Sequence, residues 1–203
     1  MKASKIILLI IPVLLLAWLG LTFWVEYSGE AKVLLVGSSE ANHKALIVYN
    51  PDPIYNLDEQ VCKSFAEGLS RYDYQVVIAT VKAAEKDPGK YDCFVFCANT
   101  YNWAPDRSIR KFIAQHPMLK GSRIVAITLG SGTTGRSQRI LEESISAKGA
   151  TLLGSEEFWL LRPNDENRME EANVTIAVVK ARLFGSEIGR KLTADSNHVT
   201  QNR

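Results

Sequence analysis

Cys93-Phe94-Val95-Phe96-Cys97, followed by Ala98-Asn99-Thr100-Tyr101-Asn102-Trp103-Ala104-Pro105-Asp106, decides the fold. Its first five residues are apolar without a break, whereas a strand with one wet face would alternate; the pattern predicts a strand covered on both faces. A polar and aromatic loop follows, and Pro105 and Asp106 then stand where a helix is initiated. Ile109, Phe112 and Ile113 supply the inner face of that helix, and Pro117 closes it. Strand, loop and covering helix form the repeating unit of a parallel α/β sheet.

The unit recurs on both sides of this stretch. Upstream, Ala45 to Tyr49 reads as a strand, and Leu57, Val61, Phe65 and Leu69, joined by Cys62 and Ala66, place one apolar face on a helix. A second strand is expected over 74–81, with the polar stretch 82–90 as a short loop or frayed turn. Downstream, 124–129 leads through Gly130 into a helix carrying Ile140, Leu141 and Ile145, stopped at Gly149. The fifth strand is expected over 150–153, with 158–161 as its continuation, and the last helix over 168–184. Val33 to Val36 reads either as an earlier strand or as an extension of the preceding segment, and the polar tail 190–203 is expected to be disordered. Five strands with crossover helices make one doubly wound domain.

Length and charge set the remainder. The chain has 203 residues and a formal charge of +2. Residues 6–25 contain no charged residue, the exceptions to an apolar run being Pro12, Gly20 and Thr22. Twenty helical residues rise about 30 Å, the thickness of a bilayer's hydrocarbon core. With Trp18, Trp24 and Tyr27 toward the distal boundary, the segment reads as a transmembrane anchor, with 26–43 as connector. Gly29-Glu30-Ala31 keeps a cleaved signal as the competing reading. Lys2 and Lys5 account for the surplus charge, so the domain beyond is neutral and offers no basic face for nucleic acid. Lysines flank both ends of the segment, and three unspaced cysteines form no disulfide framework; the side of the membrane stays open. His43, His116 and His198 have no metal-ligand spacing around them. Asn173-Val174-Thr175 matches a glycosylation acceptor but falls inside an expected helix.

Over residues 44–189 the chain resembles the flavodoxin family. The likeness is carried by Lys44-Ala45-Leu46-Ile47-Val48-Tyr49, by Tyr91-Asp92 before the third strand, and by Asn99 to Pro105 after it. Lys120-Gly121 leading to Gly130-Ser131-Gly132, and the closing Ala181-Arg182-Leu183-Phe184-Gly185, complete it. The resemblance implies a five-stranded parallel sheet of order 2-1-3-4-5, here preceded by one transmembrane helix. It also implies bound FMN and electron transfer to a redox protein partner near the bilayer.

Three loops at the carboxyl edge of the sheet would then hold the cofactor. The first, with Asn50, Asp52, Tyr55 and Asn56 as candidates, would cradle the phosphate at a helix N-terminus. It departs from the family pattern of Ser, Thr and Gly, because Pro51 and Pro53 lack N–H donors and Asp52, Asp58 and Glu59 bring negative charge. A rigid turn with Asn56 as helix cap is the competing reading. In the second loop, Asn99, Thr100, Tyr101, Asn102 and Trp103 are candidates, with Tyr101 and Trp103 as stacking partners for the flavin ring. In the third, Gly130, Ser131, Gly132 and Thr133 would bring backbone donors to its polar edge. Residues 130–137, Gly-Ser-Gly-Thr-Thr-Gly-Arg-Ser, also come within one substitution of a nucleotide-binding P-loop. Arginine replaces its lysine, and no later strand supplies a magnesium-binding Asp, so nucleotide hydrolysis is disfavoured. Two functions remain: an FMN electron carrier, or a flavodoxin-like module that has lost FMN and binds a protein or small molecule.

Overall fold

The computed structural model describes residues 3–27, 29–87 and 89–201, with side chains over 8–24, 26–27, 29–87 and 89–194. The continuous apolar run becomes a strand at the centre of the sheet. Cys93–Tyr101 (β4) pairs in parallel with His43–Tyr49 (β2) on one side and with Arg123–Gly130 (β6) on the other. Tyr74–Thr80 (β3) lies beyond β2, and Thr151–Trp159 (β7) beyond β6.

The sheet departs from the expected five strands in count and order. It has seven, running β1-β3-β2-β4-β6-β7 with β5 paired to β4 off that path. Val33–Val36 (β1) adds antiparallel to the outer edge of β3, while Ala104–Pro105 (β5) folds back on Thr100 and Tyr101. β1, four residues long and half solvated, takes the strand alternative of its two readings; β5 had no readable signal and forms only because Asn102 and Trp103 both adopt positive φ and reverse the chain.

Each face of the sheet is covered by helices. Leu57–Leu69 (α2) and Asn173–Gln201 (α6) bury Val61, Phe65, Ala177 and Ala181 against Ile47, Tyr49, Val95 and Ile127. Opposite them, Arg107–Gln115 (α4) and Gly135–Ala147 (α5) bury Phe112, Ile113, Leu141 and Ile145 against Leu46, Val48, Phe96 and Ala126. The short Val81–Ala84 (α3) stands in part of the stretch expected as a loop. α2 and α6 approach at backbone distance, since a Cβ at Gly68 would collide with the Arg182 carbonyl and one at Gly185 with the Phe65 carbonyl. Cys62, Cys93 and Cys97 are free thiols, all fully buried.

The last helix begins at Asn173 rather than 168, because Asn173 Nδ2 donates to the carbonyls of Trp159, Leu160 and Arg162 and anchors the turn there. It continues to Gln201, through the stretch expected to be a disordered tail, and Ile188 and Leu192 prolong its buried face.

Ala3–Val25 (α1) is one continuous helix interrupted in sequence only by Pro12. Among the described residues no helix is long and apolar enough to cross a membrane. The transmembrane assignment over 6–25 is therefore not carried by the structure, although the helix itself forms. Leu8, Leu14, Leu16 and Phe23 are exposed along it. Its far end meets the domain through Asn102, whose Nδ2 donates to Thr22 Oγ1 at 3.4 Å, and Ser108, whose hydroxyl donates to the Glu26 carbonyl at 3.5 Å. The connector is pinned as well. Lys32 N donates to Thr80 Oγ1 at 3.0 Å, and the Lys32 ammonium pairs with Glu59 at 2.6 Å.

Candidate functional site

The carboxyl ends of β2, β4 and β6 converge on one edge, and the first loop there is organised by two carboxylates. Asp52 Oδ1 accepts from Ile54 N at 2.7 Å and Tyr55 N at 2.9 Å. Its other oxygen accepts from the Tyr101 hydroxyl at 2.8 Å, bridging the first and second loops. Behind it Asp58, fully buried in the first turn of α2, accepts from Asp52 N at 2.5 Å, Glu59 N at 2.7 Å and Asn99 Nδ2 at 3.0 Å. Amides free at a helix start and in the loop before it would attract an anion; here those of residues 52, 54 and 55 in the loop and of Glu59 in the first helical turn already have one.

Two candidates in this loop lie elsewhere. Asn56 adopts a left-handed conformation and makes no side-chain cap, so the expected Asn cap is replaced by the Asp52 and Asp58 arrangement. Asn50 is buried at the strand end, its carbonyl accepting from Asn99 Nδ2 at 3.0 Å, and its side chain does not line the cleft.

The remaining candidates line two adjoining spaces. A cleft of about 150 Å³ is bounded by Asp52, Tyr55, Asn99, Thr100, Tyr101, Gly130 and Ser131, with Ile54, Leu57, Leu129 and Leu160 as its apolar wall. Thr100 and Ser131 also border a wider, open cavity of about 530 Å³, lined further by Asn102, Trp103, Gly132, Thr133, Trp18, Leu161 and Arg162. Gly130 is required between them: a Cβ there would lie 2.5 Å from Thr134 Cγ2 and 3.2 Å from Thr100 Cβ. Tyr101, expected as a stacking ring, is held by its hydroxyl on Asp52, whereas Trp103 is exposed. The carbonyls of the third loop pair with the segment that follows β7. Gly130 O accepts from Leu160 N, and Ser131 O from Leu161 N and Arg162 N.

Acidic groups also meet the other helix starts on this edge. Asp106 caps α4, accepting from Ile109 N at 2.9 Å and Asn99 N at 3.2 Å. At the start of α5, Glu157 bonds the Thr134 hydroxyl, which in turn accepts from Trp159 Nε1 at 2.6 Å. Burial pushes the Asp58 carboxyl above its ordinary range, and pushes that of Asp106 up to about 7. Burial, the hydrogen bond to Asp52 and the Asp52 charge hold the Tyr101 hydroxyl protonated well past its usual value.

Sequence reasoning missed the burial of Asp58 and Asp106 and the contribution of Trp18, Leu160, Leu161 and Arg162 to the walls. Asp58 read as one of the negative charges beside the first loop, not as a buried one. Its signal was the absence of Ser and Thr in a loop that still had to satisfy its amides.

No family model matches the chain, and no curated protein matches it. Solved structures do. The rubredoxin oxygen:oxidoreductase of the anaerobe Desulfovibrio gigas superposes with a TM-score of 0.58 at 15% identity, over 74% of this chain and 36% of that one. A flavodoxin, WrbA-like protein from Agrobacterium tumefaciens gives 0.52 at 13% identity, over 75% and 99%. The flavodiiron protein of Giardia intestinalis gives 0.54 at 16%, over 74% and 36%. The chain thus spans about a third of the Desulfovibrio and Giardia proteins. It has a flavodoxin-like α/β fold with a mostly parallel sheet.

That fold implies FMN, and the first loop does not fit the FMN phosphate. A dianionic group entering it would find the amides of residues 54 and 55 already bound to the Asp52 carboxylate, with buried Asp58 behind and like charges opposing it.

Proposed function

We propose that the chain is a membrane-associated flavodoxin-like binding module whose cofactor edge does not hold FMN by its phosphate. A single observation carries this reading: the amides of residues 52, 54, 55 and 59, around the place where a phosphate would enter, are bound to the Asp52 and Asp58 carboxylates. Membrane association rests on the exposed apolar side chains of α1. Such a surface is costly in water and favourable among lipid chains.

A second reading, an FMN electron carrier serving a redox protein partner, is favoured by the exposed Trp103 ring beside Gly132 and Thr133. It requires the phosphate to sit outside the first loop.

Titration of the full chain in detergent with FMN separates the two. No FMN should copurify, and FMN fluorescence should stay unquenched up to roughly millimolar protein or ligand; micromolar FMN binding overturns the reading. Expressed in cells, the full chain is expected to remain with the membrane pellet after alkaline carbonate washing. Release into the supernatant would remove the membrane part of the proposal.

A further inference from the structure

The geometry points to Asp52 as an internal anion that occupies the phosphate subsite and sets the ligand class of the cleft: a planar, uncharged ring without a phosphate. This rests on the reading that the first loop does not hold FMN, and it assigns the cause and the consequence. Two successive amides, of Ile54 and Tyr55, converge on Asp52 Oδ1 as they would on an anion's oxygen. The second oxygen is held from across the sheet edge by the Tyr101 hydroxyl at 2.8 Å. The carboxylate is therefore clamped at both oxygens.

The neighbouring helix starts are acidic as well. Asp106 occupies that of α4, and Glu157 stands at that of α5. Among the described residues lining the two spaces, Arg162 is the single cation; it sits on the rim of the wider cavity, its guanidinium 4.4 Å from the Trp159 ring centroid. Apart from the Asp52 carboxylate, what the cleft presents is uncharged: the Tyr55 ring, the Thr100 and Ser131 hydroxyls, and the side chains of Leu57, Leu129 and Leu160. Such walls suit a ring with neutral polar edges.

Riboflavin and FMN share ring and ribityl chain and differ only in the phosphate, so the pair isolates the effect. In fluorescence titrations of the detergent-solubilised full chain, riboflavin should bind more tightly than FMN by of order a hundredfold, the scale of a like-charge juxtaposition. Asp52→Asn keeps an acceptor oxygen for the two amides while removing the charge, and should shrink that ratio to within about tenfold. Asp52→Gly vacates the amides and should reverse the preference, with inorganic phosphate competing against FMN. Circular-dichroism melts establish that each variant is folded, and Asp52→Asn decides the matter if Asp52→Gly is not. Preference of the unaltered chain for FMN would overturn both this inference and the proposed function. Binding of neither flavin, or a ratio unmoved by Asp52→Asn, would overturn the inference alone and leave the first loop closed to FMN.

Discussion

Gly185→Ala is expected to destabilise the domain by about 2–3 kcal/mol, the cost of overpacking a close contact. Helix propensity alone gives the opposite sign, since alanine is the better residue in a helix interior by about 1 kcal/mol. Geometry decides. A Cβ at Gly185 would collide with the Phe65 carbonyl oxygen and lie 3.0 Å from its carbon and 3.1 Å from Leu69 N. These are backbone atoms of α2, which cannot swing aside as a side chain tip can. Relief requires the whole helix to move off Phe65, Val61 and the sheet beneath. Domains of this kind hold about 5–15 kcal/mol in total, so the loss should appear as a clear drop in the urea midpoint. Gly135→Ala is the internal control. Its nearest neighbours would be 3.9 Å away, so that substitution should be neutral or slightly stabilising. Equal effects at the two sites would remove the steric account.

The second large effect is a stability that falls as pH rises. Asp106 is fully buried, and burial raises its carboxyl from 3.8 to about 7. Between those values the folded chain holds a proton that the unfolded chain has released, so the folded state binds more protons and loses stability with each step upward in pH. Asp58, also raised by burial, acts with the same sign. Glu59 opposes them at the acid end. Lys32 and Lys63 hold it down at about 2, and that contribution disappears as pH falls from about 4.5 toward 2. Urea unfolding should therefore show maximal stability near pH 4, where the two opposing slopes cancel, and a decline of order a few kcal/mol on going to pH 7. Asp106→Asn should flatten most of that slope, even though its amide group would face the Asn99 N–H that the carboxylate now accepts. A slope unchanged in the variant would assign the effect to other groups.

What the sequence disclosed follows from what each element needed. The run 93–97 could be read because a strand buried on both faces tolerates no polar residue, and α2 because Val61, Phe65 and Leu69 repeat at its period. β1 depends on a partner about forty residues along the chain and β5 on a tight reversal just before it, and four or two residues carry no period of their own. α6 was cut short because polar residues dominate its last turns, although Ile188 and Leu192 still face the core. The candidate loops emerged from strand ends alone, and the structure gathers most of their residues around two adjoining spaces. Charge was the illegible part. Asp58 looks the same in sequence whether it faces water or, as here, lies buried beneath Asp52 and Asn99.

The three thiols have a consequence for how the chain lives with oxidants. Each is sealed in the core, with burial pushing Cys93 up to about 12 and, with Cys62 beside it, raising Cys97 well above its ordinary value. Nucleophilic thiolate is therefore scarce in the folded state. The domain carries no sulfur chemistry that distinguishes a reducing compartment from an oxidising one, and alkylation of its cysteines becomes a clock for unfolding rather than a map of its surface.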